Sequence, residues 1–276
     1  ASKLHIPVFH IEAGLRSFNR SMPEETNRIV ADHLSSILFA PTKAAMENLH
    51  KEGCTQSAAV FTNGKRQQVF ESGDIMYDNA LHYAHIATER YPDFLSSLGV
   101  SPQNYILATI HRDNNTDIPQ RLTSIFQALY HLATTEKQTI VIPLHPRTSK
   151  VLENNIGATL YSKLKQCEYI RIIEPVSYLK MILLEKNATL IMTDSGGVQK
   201  EAYFFQKPCV ILRSETEWVE IVSQQAGIVS DADTDRIIEA YYQLINRNIN
   251  YPPLYGQGNA SVFILEKIKE YVGGKS

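Results

Sequence analysis

Cysteine is scarce in this chain. There are three in 276 residues, Cys54, Cys167 and Cys209, odd in number and far apart, with no CxxC pair. Neither a disulfide framework nor a cysteine-based zinc site is implied, and a reducing, cytoplasmic setting fits best. Charge of one sign is lacking too. Lys and Arg number 27 against 29 Asp and Glu, a formal net charge of -2, so the totals carry no nucleic-acid or membrane footprint. No apolar run approaches the ~20 residues a membrane helix needs. Lys3, His5 and Pro7 interrupt any hydrophobic region a signal peptide would place at the start. No GK[ST] follows a glycine loop, which excludes a Walker A site. Repeats and low-complexity tracts are absent.

What is there describes an ordinary globular protein, with 43% hydrophobic and 20% charged residues. The length suits two units, each able to bury a core. Short apolar runs read as strands at 6–13, 36–40, 58–62, 105–110, 139–145, 170–174, 188–194, 208–212 and 226–230, with a further candidate at 68–72. Helical patterns lie between most of them. "PEETNRIVADHLS" opens with proline and acids, a good helix start. In residues 118–135, Leu122, Ile125, Phe126, Leu129 and Leu132 form one stripe. Strands alternating with helices predict parallel sheets of the doubly wound α/β class. From Asp74 to about Pro102 no strand interrupts a helical stretch, which reads as a connection. The expected division is a partial N-terminal Rossmann-like domain with its linker helix over 1–95, a C-terminal Rossmann-like domain over 96–255, and an amphipathic helix over 256–276 that can pack back on the first domain. The first domain has few strands, and the chain starts mid-pattern, so this domain is expected to be incomplete.

Several strand ends carry chemistry. "LIMTDSGGVQKEA" (190–202) runs from a strand through Ser195, Gly196 and Gly197 into a helix. Glycines admit close backbone approach, and a helix N-terminus offers N–H groups and partial positive charge to a diphosphate. Glu201, about one turn on, suits ribose hydroxyls. A plain strand-to-helix turn with Ser or Asp as N-cap accounts for the motif equally well. His111 and Arg112 follow the strand at 105–110, where a histidine can bind phosphate or shuttle a proton. His145 and Arg147 follow the next strand, although the adjoining prolines also suit a structural loop. Glu12 ends the first strand and Glu24 starts the following helix, so two carboxylates and a histidine can divide acid and base roles. Favourable charge at a helix N-terminus explains Glu24 and Glu25 as well. Arg16, Arg20 and Arg28 read as solvated surface, with Arg28 reaching Glu24 one turn away, or as holding the Glu12 loop. "RSETEWVEIV" (213–222) contains the only tryptophan, Trp218, and reads as a binding loop or a surface helix with the indole packed inward.

Taken in order, "HIEAGLRS" with "PEETNR", "GDIMYD", "IHR", "PLHP", "TDSGGVQKEA" and "RSETE" resemble the non-hydrolysing UDP-N-acetylglucosamine 2-epimerase family over essentially the whole chain. The resemblance implies two Rossmann-like domains across a cleft, the glycosyltransferase-B architecture, and a homodimer. It implies interconversion of UDP-GlcNAc and UDP-ManNAc for surface polysaccharide precursors, with no metal and no other cofactor. UDP leaves C1 while the C2 proton is removed, giving a 2-acetamidoglucal; UDP then adds back with the proton on the other face. Glu12 and Glu24 match the family's catalytic carboxylates and His111 its active-site histidine. Ser195, Gly196, Gly197 and Glu201 match the UDP-binding turn, and Val176 and Met181 fall where the uracil is contacted. Arg112, His145 and Arg213 are the further substrate-binding candidates. The family's first strands, with an aspartate in a Gly-Asp-Thr-type turn and a basic pair, have no counterpart here, which predicts a truncated, impaired enzyme. Trp218 replaces a common arginine, and "HRDNNTD" and "TEWVE" resemble a branch acting on UDP-2,3-diacetamido-glucuronate. A glycosyltransferase of the same architecture, or a non-catalytic UDP-sugar binder, are the alternatives.

Overall fold

The computed structural model describes residues 1–20, 23–55, 66–144 and 146–273. In chain order the elements are β1 (Phe9–Ile11), α1 (Pro23–Leu34), β2 (Ile37–Ala40), α2 (Lys43–Lys51), β3 (Gln68–Glu71), α3 (Ile75–Arg90), α4 (Phe94–Ser97), β4 (Ile106–Thr109), α5 (Asp113–Thr116), α6 (Pro119–Thr135) and β5 (Ile140–Pro143). They continue with α7 (Pro146–Ile156), α8 (Ala158–Gln166), β6 (Ile170–Ile173), α9 (Tyr178–Asn187), β7 (Leu190–Thr193), α10 (Gly196–Phe204), β8 (Cys209–Ile211), α11 (Val219–Ser223), β9 (Gly227–Val229), α12 (Thr234–Ile245) and α13 (Ala260–Gly273). The helical character at the start of the chain is a short 3-10 turn, Ser2–Leu4. The strand expected at 58–62 lies outside the described residues. No helix among those described is long and apolar enough to cross a membrane.

The chain forms two compact units, residues 1–81 with 252–276, and residues 82–251. The first change of unit falls inside α3, not after it at residue 95. The reason lies in what each half of that helix touches. Asp78 accepts hydrogen bonds from the backbone N–H groups of Ala260 (3.1 Å) and Ser261 (2.7 Å), capping α13 within the first unit. Tyr83 stacks edge-on against Tyr178, 5.7 Å between centroids, within the second.

In the first unit β1, β2 and β3 are parallel, with Phe9 opposite Ile37 and Leu38 opposite Val69. Strand side chains alternate between faces. Leu38 and Ala40 therefore pack with Ala45 and Leu49 of α2, while Ile37 and Phe39 pack with Ala260, Ile264 and Tyr271 of α13. The tail helix thus covers one face of this sheet. Each leucine, isoleucine or phenylalanine among them, fully buried, contributes roughly 1.5–3 kcal/mol of transfer free energy.

The second unit holds a six-stranded parallel sheet in the order β6-β5-β4-β7-β8-β9. That is the 3-2-1-4-5-6 arrangement of doubly wound dinucleotide-binding sheets. Both faces are covered, so the strands read as continuous apolar runs. Ile106, Ile140, Leu190 and Val210 face a core shared with the stripe of α6 (Leu122, Ile125, Phe126, Leu129, Leu132) and with Ile237 and Leu244 of α12. Leu107, Val141, Ile191 and Ile211 face the opposite side, with Leu184 of α9 and Ala202 of α10. The expected α/β class, with Rossmann-like units, is the class observed.

Candidate functional site

Each unit carries its own cluster of chemistry-bearing residues. In the second unit the strand order reverses between β4 and β7, and open α/β sheets take ligands outside the carboxyl ends of their strands at such a point. A pocket opens there, lined by His111, Leu144, Val176, Met181, Ser195 and Val198, among others. Four residues singled out in the sequence, His111, Val176, Met181 and Ser195, share its wall. His145 lies outside the described residues.

The pocket edge is organised by Asp194, a residue to which the sequence reading gave no role beyond the turn. It is fully buried. Its carboxylate accepts from the backbone N–H of His111 (3.2 Å) and of Arg112 (3.1 Å) and from the Asn115 side-chain amide (3.0 Å). The His111 Nδ1 lies 3.0 Å from the same carboxylate. Burial alone would raise the Asp194 pKa. The His111 side-chain bond and charge, Asn115 and the Arg112 N–H outweigh it, and the carboxyl ionises below the ordinary Asp value. Asn115 ties the same knot to the end of β8 by donating to the Leu212 carbonyl at 2.8 Å. With Nδ1 held by Asp194, His111 presents Nε2 as its second nitrogen, on a side chain 47% exposed. An oriented histidine of this kind can donate to a phosphate or exchange a proton.

Ser195 is the N-cap of α10, its side chain accepting from the Val198 N–H. The two glycines have different jobs. A Cβ on Gly196 would come within 2.6 Å of Glu217 Oε1, whereas one on Gly197 would meet nothing nearer than 3.8 Å. Gly197 is the exposed one, so backbone access for a ligand belongs there, and Gly196 serves close packing of the 213–218 loop. That loop is fastened from behind. Trp218 is buried and its indole N–H donates to the Gly196 carbonyl at 2.8 Å. Lys200 lies 4.5 Å from the indole centroid. Trp218 is therefore packed inward, supporting the turn. Arg213 donates to Glu217 at 2.8 Å. Glu201 is buried on α10 and accepts from the Tyr178 hydroxyl at 3.2 Å. Burial raises its pKa, opposed by the Tyr178 bond, the Lys200 charge and Glu185.

In the first unit Glu12 follows β1 directly, with φ +66°. A glutamate in the left-handed region is uncommon and marks a shaped turn. The frame around it is rigid. The Ala13 N–H donates to the Phe39 carbonyl (3.0 Å), the Gly14 N–H to Asp32 (3.1 Å), and the Asn48 amide to the Gly14 carbonyl (3.0 Å). Asp32, fully buried, also binds the Arg16 guanidinium (2.7 Å) and lies 2.5 Å from His10 Nδ1. Arg16 makes two further bonds to Glu52, each 2.7 Å. Arg16 is thus a buried loop clamp, a role sequence allowed beside a solvated one, and Arg20 is the exposed member. The two acids of "PEE" separate. Glu25 is buried and accepts from the Ser17 and Phe18 N–H groups, while Glu24 is exposed. Burial would raise the Glu25 pKa, but those bonds and the Arg16 charge bring it below the usual value. The nearby Arg28 pairs with Glu25 at 3.6 Å, not with Glu24, because Glu25 turns inward toward the loop.

Gly14 closes this turn at φ +79°, and a Cβ there would sit 2.3 Å from the Ala45 carbonyl oxygen of α2. Gly14→Ala is expected to destabilise the first unit by about 2–5 kcal/mol, the sum of left-handed strain and overpacking. A drop in the thermal unfolding midpoint measures it. An unchanged midpoint would mean that α2 yields freely.

A six-stranded sheet in nucleotide-fold order, with a pocket at its switch point and a glycine turn opening a helix beside it, defines a doubly wound α/β protein with a small-molecule site. The family model for UDP-N-acetylglucosamine 2-epimerase matches residues 1–269, and the chain belongs to that family, whose members are enzymes. It is 47% identical over 268 residues to the UDP-2,3-diacetamido-2,3-dideoxy-D-glucuronate 2-epimerase of Pseudomonas aeruginosa, covering 96% of this chain and 69% of the relative. It is 40% identical over 262 residues to the UDP-N-acetylglucosamine 2-epimerase of Methanocaldococcus jannaschii, covering 94% and 68%. The crystal structure of the M. jannaschii enzyme in complex with UDP-GlcNAc and UDP superposes with a TM-score of 0.81 at 38% identity, over 98% of this chain and 71% of that one. The match spans nearly the whole of this chain and about 70% of the length of these relatives, and the expected impairment has no finding behind it.

Proposed function

We propose that the protein is a UDP-N-acetylglucosamine 2-epimerase, interconverting UDP-GlcNAc and UDP-ManNAc as surface polysaccharide precursors. The observation that carries this reading is the pocket at the carboxyl ends of β4 to β7, where His111, Val176, Met181 and Ser195 meet beside the N-terminus of α10. The uracil is assigned to the pocket wall at Val176 and Met181, where the family contacts it. The α10 N-terminus at Ser195 and Gly197 supplies N–H groups and partial positive charge for the diphosphate, with Arg112 and Arg213 as further cations. Glu201 accepts from the ribose hydroxyls. The C2–H bond is only weakly acidic, so its cleavage is coupled to departure of UDP from C1. Positive charge develops at C1 and negative charge on the diphosphate. Glu12 and Glu24 stabilise the first and move the C2 proton, and His111 with the helix N-terminus stabilises the second. Re-addition of UDP to the 2-acetamidoglucal, with protonation of C2 from the opposite face, completes the inversion.

A second substrate is favoured by Trp218 in place of the common arginine, by the "HRDNNTD" variant and by the Pseudomonas relative: UDP-2,3-diacetamido-glucuronate. Incubation with each UDP-sugar in D2O, followed by NMR, separates the readings. UDP-GlcNAc is expected to give the manno epimer with deuterium at C2. Epimerisation of the diacetamido-glucuronate alone would transfer the assignment to that substrate. UDP binding without exchange or epimer from either would make the protein a non-catalytic binder.

A further inference from the structure

Beneath the glycine turn, α9 carries an acid to which the proposed reaction gives no role. Glu185 is only 1% exposed. Neither of its carboxyl oxygens has a hydrogen-bond partner among the described residues. A buried polar group left in that state is strongly penalised, and an ionised one more so. The charged group acting on it is another carboxyl, Glu201 on α10, the helix packed against α9. The other titratable groups nearby are directed elsewhere. The Tyr178 hydroxyl donates to Glu201 at 3.2 Å, and the Tyr105 hydroxyl to the Leu184 carbonyl at 2.7 Å. Lys200, whose charge acts on Glu201, has its ammonium over the Trp218 ring.

Two facing carboxylates are both acceptors and repel. One proton turns the same contact into an O–H to carboxylate bond, the short and strong kind, as in other carboxyl pairs that share a single proton. The surroundings decide which member keeps it. Glu201 has the Tyr178 hydroxyl and the Lys200 charge to support ionisation, and Glu185 has neither. Burial first, and the Glu201 charge second, push the Glu185 pKa well above the usual carboxyl range.

We propose that Glu185 is a positioning residue: it holds a proton and donates it to one oxygen of Glu201, keeping the Glu201 carboxylate ionised and fixed as the acceptor for the ribose hydroxyls of the bound uridine nucleotide. The ribose half of this inference rests on the nucleotide site proposed above. The proton half rests on the two carboxyls alone.

Two substitutions test it, Glu185→Gln and Glu185→Leu, with UDP affinity measured by calorimetry and unfolding midpoints recorded from pH 6 to 9. Glutamine keeps an N–H donor in place and cannot titrate; leucine keeps the volume and removes the donor. At pH 7, E185Q is expected to bind UDP within about threefold of wild type and E185L about tenfold or more weaker, the scale of a lost charge-assisted bond. The stability sign follows from a folded pKa raised above the unfolded one. The native state keeps a proton the unfolded chain has lost, so this group's contribution declines as pH rises from about 4.3 toward the raised value. The midpoint of E185Q relative to wild type should therefore climb with pH, a trend that a merely packing role would not produce. The proposal is overturned if E185L binds UDP as tightly as wild type, if E185Q is as weak as E185L, or if the midpoint difference is flat with pH. Wild-type protein that binds no UDP would remove the nucleotide site and the ribose half together. A persisting pH trend in that case would still report the shared proton.

Discussion

Asp194→Asn is expected to lower kcat/KM by at least about a hundredfold and to weaken UDP binding, because one carboxylate holds both the histidine and the backbone at the pocket edge. Asp194 accepts the N–H of His111 and Arg112, the Asn115 amide and the His111 ring, and it is fully buried. An asparagine has the same outline but replaces one acceptor oxygen with an NH2 donor. Donors face both carboxylate oxygens, so either amide orientation sets N–H against N–H. The cost to stability is about 3 kcal/mol, that of breaking a buried charged network. The pH dependence has a definite sign. The folded Asp194 pKa lies below the ordinary aspartate value, so its stabilisation is fully present above about pH 4 and is lost as pH falls through the lower folded value. The midpoint gap between wild type and D194N should be wide at pH 7 and close under acid. A D194N protein with wild-type activity would show that His111 needs no such anchor.

Glu12→Gln should lower turnover by about a thousandfold while leaving UDP affinity within a few-fold. Glu12 belongs to the first unit, whereas the groups proposed to hold UDP belong to the second. The turn that presents it is fastened by its neighbours: Ala13 to Phe39, Gly14 to Asp32 and Asn48, Arg16 to Asp32 and Glu52. An isosteric amide at position 12 therefore leaves the frame standing, while it removes the negative charge and turns one acceptor oxygen into an NH2 donor. Steady-state kinetics with UDP-GlcNAc, calorimetry with UDP and a thermal scan separate the cases. Strongly reduced UDP affinity would move Glu12 from chemistry to binding, and a collapsed midpoint would move it to folding.

The residues that could be read from sequence sit where local signals are strong. His111 and Ser195 stand immediately beyond apolar strands, and the carboxyl edge of a parallel sheet is where ligands bind. Val176 and Met181 were reachable through the family resemblance, since nothing in their own spacing marks them. Asp194 was visible as part of "TDSGG", but its role was not, because its partners at 111, 112 and 115 are about 80 residues away. Asn115 and Glu185 gave no local signal: one sits in a four-residue helix, the other at the end of an apolar helical run, Met181–Leu184. The identical-looking arginines 16 and 20, and the adjacent acids 24 and 25, were inseparable in sequence. Burial against Asp32 and against the 17–18 backbone sets them apart.

Sequence by itself determined the α/β class, most strand positions, the helix stripe of 118–135 and the glycine turn at 195–197. These follow from side-chain periodicity and from backbone preferences that act over a few residues. Tertiary structure decided the strand order β6-β5-β4-β7-β8-β9, the docking of the tail helix on β1 to β3, the change of unit within α3, and the burial of Glu185. Those depend on which distant residues come within a few ångströms of each other. The topology of the whole chain sets that, and with it which charges are buried and what each must find as a partner.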